Sequence, residues 1–147
     1  MRRFSRIFAW TTLFFVAGAV LLFTKAAALP YKVAWPVLLL SLATFLSRRR
    51  ELLPFGFAFL FSAAGDAVGA RGLFIPQMAF FALAHVSYVC WFLPRARRRL
   101  RAVSLAVTVP LLVFLFAAIV PEAPFPAERI GVAVYGLVIA AMLYSAL

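Results

Sequence analysis

One aspartate stands out in a chain that is otherwise short of acids. Asp66 lies in Phe61-Ser-Ala-Ala-Gly-Asp-Ala-Val-Gly69, inside a long apolar run. A carboxyl group held in such a run can exchange a proton with a substrate or stabilise a developing positive charge. At helical spacing Ser62, Asp66 and Gly69 share one face, and the small residues around them admit a second helix at close range. A second polar stripe follows at once. Gln77, Phe81, His85 and Tyr88 are spaced i, i+4, i+8, i+11 and so lie on one side of the next helix. Each residue also has a plainer reading. Asp66 could be wet, or paired with a cation near an interface. His85 could be an interhelical hydrogen-bonding group. No second histidine exists to complete a metal site with His85, and no cofactor motif is present.

The elements that must hold these residues are membrane helices. The chain has 147 residues, of which 67% are hydrophobic and only 13% charged, with a mean hydropathy of +1.06. A soluble domain of this size is nearer half apolar and a quarter charged. The surplus Phe, Leu, Ala and Val side chains must therefore face lipid. A spanning helix needs about 20 mostly apolar residues. Six runs meet this length approximately: Ile7–Phe23, Tyr31–Ser47, Leu52–Gly69, Leu73–Leu93, Ala102–Val120 and Arg129–Leu147. They are continuous and not alternating, which argues against strands. The predicted fold is an all-α, polytopic integral membrane bundle of about six helices in a single domain.

The breaks between runs carry the basic residues. Gly69-Ala-Arg71-Gly72 is a tight turn, so the third and fourth runs should form an antiparallel hairpin. Pro121-Glu-Ala-Pro-Phe-Pro126 should separate the fifth run from the sixth. With the N-terminus in the cytoplasm, the inner side receives Arg2, Arg3, Arg6, Arg48, Arg49, Arg50, Arg95, Arg97, Arg98, Arg99 and Arg101. The outer side receives Lys25, Lys32, Arg71 and Arg129. Eleven against four is a positive-inside pattern, and it predicts a multi-pass protein of the cell membrane. The net charge of +11 comes from these loop clusters, so anionic lipid headgroups fit it better than nucleic acid. The basic N-terminus and Ala26-Ala27-Ala28 look like a secretory signal, but the run Ile7–Phe23 is long for one and reads better as an uncleaved first helix. The single Cys90 reads as a small buried apolar side chain.

Depth relates the polar residues to one another. Counted from the turn at Ala70-Arg71, Asp66 is level with Ile75 to Gln77, and His85 lies about 12–15 Å deeper. Gln77 is then the expected neighbour of Asp66, and His85 is not. Lys32 opens the second run on the same side as Asp66. It could pair with the carboxylate, or it could snorkel to the interface.

Ser62-Ala-Ala-Gly-Asp66, followed after a short link by Phe80-Phe-Ala-Leu-Ala-His85-Val-Ser-Tyr88, resembles the YhhN family of membrane proteins, the lysoplasmalogenase-like group. Tyr31-Lys32-Val-Ala-Trp-Pro36 is similar to a Lys-Pro feature of that family, although here the two residues are separated. The resemblance implies a bundle of about eight membrane helices, with the last two missing from this chain. It also implies hydrolysis of the vinyl ether bond of lysoplasmalogen to a fatty aldehyde and a glycerophospho-base. Two aspartates are central to that activity, and Asp66 matches the first. The second would lie in a later helix, and the chain stops at Ser145-Ala146-Leu147 before reaching it, so it reads as shortened. The candidate catalytic residue is then Asp66, as the acid, and the candidate substrate-binding residues are Lys32, Ser62, Gln77, His85 and Tyr88. No cofactor is expected. The expected partners are membrane lipids and a lysophospholipid. The alternative is a non-catalytic carrier or lipid-binding scaffold in which Asp66, Gln77 and His85 are interhelical glue.

Overall fold

The computed structural model describes residues 34–96 and 100–147, together with 9, 10, 12, 13, 16, 17 and 20 of the first apolar run, all seven of which are helical. Lys32 and the basic N-terminal residues lie outside the described residues. The described residues form helices joined by short links, with no strand among them. The helices are α1 (Ala34–Leu46), α2 (Leu53–Gly69), α3 (Phe74–Phe92), α4 (Arg101–Phe114) and α5 (Pro126–Ala146). With their terminal turns, α2 to α5 are long and apolar enough to cross a membrane, and α1 is a shorter apolar helix. The chain is a helical membrane protein. Its side chains show it as well, because large apolar residues such as Leu46, Val113, Phe125 and Ile130 stand exposed while the buried apolar set is chiefly alanine.

Cys90, expected to be buried, is exposed, because it stands on a face of α3 that no described helix covers. The second to sixth predicted runs and the helices coincide closely, with two informative differences. The sixth run begins at Pro126 and not at Arg129. Proline in the first helical turn has no hydrogen bond to forfeit, so Pro126 starts α5 where it was expected to break the chain. The fifth run is not uniformly α-helical. It passes from α4 into a π-helical turn at Leu115–Ile119 and a 3-10 turn at Val120–Glu122.

The helices lie side by side in the order α1, α2, α3, α5, α4. The closest pair is the α2–α3 hairpin, as its short link predicts. Gly72 in that link has φ +73°, a left-handed conformation that glycine adopts without a Cβ clash. Its N–H donates to the Gly69 carbonyl at 2.8 Å. Small residues set the other contacts. The Ser41 hydroxyl of α1 donates to the Gly56 carbonyl of α2 at 2.8 Å, fully buried. A Cβ at Gly131 of α5 would stand 2.6 Å from the Met78 methyl of α3. Five residues further round α5, Gly136 receives Leu115 from the end of α4. These two glycines face different neighbours, which is why α5 sits between α3 and α4.

Candidate functional site

Asp66 occupies the last full turn of α2, where its main-chain carbonyl accepts the Ala70 N–H at 2.9 Å. The helix advances about 100° per residue. Gly56 and Ala63 mark the face turned to α1, and Gly65 and Gly69 mark the face turned to α3. Asp66 falls between the two faces and is half-buried. Among the described residues its carboxylate has no hydrogen-bond or ion-pair partner. The negative end of the α2 dipole lies beside it and offers no compensation.

Gln77 comes closest to the expected role of neighbour. A Cβ at Gly69 would stand 2.5 Å from its carboxamide carbon, so the amide lies across α2 one turn from Asp66. The Phe81 ring covers Gly65 in the same way, at 2.9 Å from such a Cβ. Ser62 is half-buried on the Asp66 side of α2, one turn deeper. The structure thus brings Asp66, Ser62 and Gln77 to one end of the α2–α3 pair.

His85 belongs to a different group. Its Nδ1 lies 2.6 Å from the Phe81 carbonyl. A carbonyl only accepts, so Nδ1–H is the donor and Nε2 is the nitrogen left to meet a ligand. No hydrogen bond joins His85 to Asp66. The His85 ring instead meets Tyr88 at 6.3 Å between centroids and Tyr135 of α5 at 5.5 Å, both edge to face. Tyr88 in turn meets Phe55 of α2 at 5.6 Å, and Phe55 meets Trp91 at 4.9 Å. Tyr135 and Phe55 were not anticipated from sequence. A tyrosine in the middle of the sixth run was the available signal, but its relation to His85 depends on α5 lying against α3, which no local pattern reveals.

These residues line one continuous face. Phe81, His85 and Tyr88 fall between the α2-facing and α5-facing sides of α3, and Tyr135 falls between Gly131 and Gly136 on α5. The Phe55–Tyr88 and His85–Tyr135 contacts join the three helices along a single aromatic wall. Asp66 and Gln77 stand at the end of it nearer the α2–α3 turn. On the adjacent side of α2, Ala63, Ala64 and Ala67 form with Trp35 and Leu38 an apolar groove of about 270 Å³. No group of three or more metal-ligating side chains occurs among the described residues.

The YhhN family matches residues 28–147, a stretch that holds both the Ser62–Asp66 and the His85–Tyr88 segments. The protein belongs to the YhhN family. A search of curated proteins and of solved structures finds no match. The family match includes Lys32, the π-helical turn and α5, so it extends well beyond the motifs at Asp66 and His85.

Proposed function

We propose that this YhhN-family membrane protein is a lysolipid hydrolase of the lysoplasmalogenase type, with Asp66 as its acid. The observation that carries the reading is a carboxyl group in a membrane-spanning helix with no partner among the described residues. Ionisable groups at such positions are costly, and they are retained where they act on a substrate. Asp66 lies near a turn where a headgroup would reach water, and an apolar groove able to take an alkyl chain opens on a neighbouring face of α2, lined by Leu60, Ala63, Ala64 and Ala67.

The chemistry follows from the bond. Asp66 delivers its proton to the β-carbon of the vinyl ether, and the electron pair of the double bond forms the new C–H bond. The positive charge is shared between the α-carbon and the ether oxygen. Water adds to the α-carbon and returns a proton to Asp66. The hemiacetal then collapses to a fatty aldehyde and a glycerophospho-base. Gln77 can orient the water or the ether oxygen, and Ser62 can hydrogen-bond the carboxyl group. Lys32 would meet the phosphate at the interface. His85 and Tyr88, deeper in the wall, would line the path of the substrate. The arginine distribution supports a cytoplasmic N-terminus in the cell membrane, with Asp66 toward the outer leaflet.

The test is aldehyde release from choline lysoplasmalogen by the purified full chain, beside Asp66→Asn. Turnover in the first and none in the second is expected. Equal turnover in both removes Asp66 from the reaction. A second reading, a lipid-binding membrane protein without turnover, is favoured by one observation: Gln77 and His85 are engaged in packing, the first against Gly69 and the second on the Phe81 carbonyl. Lysolipid retained intact by both proteins would support it.

A further inference from the structure

The opposite end of α3 carries an arginine held in place without an acid. Arg95 ends the 3-10 turn Leu93–Arg95 that follows α3. Its guanidinium lies over the Trp91 ring, 3.7 Å from the centroid, and its Nη1 donates to the Trp91 carbonyl at 2.8 Å. Ring and carbonyl together fix the plane of the fork. A guanidinium has five N–H donors, and this arrangement uses one of them. No carboxylate lies within ion-pair distance of Arg95 among the described residues. Beside it opens a cleft of about 180 Å³ lined by Phe92, Arg95, Leu100, Ser145 and Leu147. Among the described residues, Arg95 is the one charged side chain in that lining. The Ser145 hydroxyl already donates to the Met142 carbonyl at 2.8 Å.

We propose that this cleft binds the phosphate of an anionic membrane lipid, with Arg95 as the recognising residue. A planar fork with unspent donors matches phosphate oxygens in pairs, which a mobile ammonium does not. The surroundings favour the same ligand. Arg48, Arg49, Arg50 and Arg101 lie at this end of the helices, so the local field is positive. The neighbouring phase is a lipid headgroup layer, where phosphate is the abundant anion. The site is separate from that of Asp66. Gln77 and Arg95 are eighteen residues apart on α3 and its terminal turn, or about 27 Å along the axis, close to the thickness of a hydrocarbon core. A lipid whose headgroup meets Arg95 therefore belongs to the other leaflet from one whose headgroup lies near Asp66.

The test is native mass spectrometry of the full chain released from nanodiscs of phosphatidylcholine mixed with phosphatidic acid. The intact protein should retain phosphatidic acid in preference to phosphatidylcholine. Arg95→Gln and Arg95→Lys should each reduce that preference about tenfold, the loss of charge-assisted hydrogen bonds. Arg101→Gln should leave it unchanged. Three results would overturn the proposal. They are a wild-type preference in Arg95→Lys, an equal loss in Arg101→Gln, and displacement of the lipid by millimolar inorganic phosphate. The first two mean diffuse charge attraction, and the third means a soluble anion as the ligand. None of the three bears on turnover at Asp66.

Discussion

His85 and Tyr135 meet edge to face across the α3–α5 boundary, with ring centroids 5.5 Å apart and planes inclined at 84°. The contact fixes the middle of the aromatic wall, because the bond from His85 Nδ1 to the Phe81 carbonyl already restrains the imidazole from the other side. Tyr135→Phe preserves the ring and should leave thermal stability in detergent unchanged. Tyr135→Ala removes it and should destabilise the protein by about 2 kcal/mol, less than a fully buried aromatic, because Tyr135 is only half-buried. If the two variants melt together, the ring contact contributes nothing.

The α1–α2 boundary depends on one buried hydrogen bond, from the Ser41 hydroxyl to the Gly56 carbonyl at 2.8 Å. Such bonds between membrane helices contribute modestly, since the separated helices find other partners in lipid. Ser41→Ala should therefore cost about 0.6 kcal/mol. Ser41→Val should cost more, because Ser41 is 1% exposed and has no room for a larger side chain. Chemical denaturation in mixed micelles, comparing the two variants, would separate the polar contribution from the steric one.

The sequence made the helices legible because continuous apolar runs have few other outcomes, and the α2–α3 hairpin was legible because Gly69-Ala-Arg71-Gly72 is too short for any other link. Pairing beyond neighbours was not. The placement of α5 between α3 and α4 rests on Gly131 and Gly136 receiving Met78 and Leu115, a fit of surfaces distant in sequence. For the same reason Asp66, Ser62, Gln77, His85 and Tyr88 were each identifiable as polar residues in apolar runs, whereas Tyr135 and Phe55 were not. Arg95 was read only as one of a basic cluster, because its stacking on Trp91 is a matter of geometry that charge counting does not contain.

The hairpin itself can be tested at its two special glycines. A side chain at Gly69 would collide with the Gln77 carboxamide. Gly69→Val should cost about 1 kcal/mol, the low end of overpacking penalties, because the carboxamide ends a flexible side chain that can turn aside. At Gly72 nothing lies within 4 Å of an added Cβ, so the penalty there is conformational only. Gly72→Ala should cost about 1 kcal/mol, because φ is +73°. Gly69→Val in combination with Gln77→Ala separates the two mechanisms. It should recover part of the loss, whereas Gln77→Ala should do nothing for Gly72→Ala.

Asp66 allows a prediction in which function and stability move in opposite directions. A structural aspartate is held by donors, and its replacement leaves them unpaired. Asp66 has no such partner among the described residues, and it is half-buried beside the negative end of a helix dipole. Asp66→Asn removes a possible charge while keeping the shape of the side chain. It should therefore stabilise the protein, by an amount on the order of 1 kcal/mol, while abolishing aldehyde release. Paired measurements of melting and turnover on the same preparations would show this. A fall in melting temperature would instead assign Asp66 to the packing of α2 against its neighbours, and the case for a proton donor at that position would lose its physical basis.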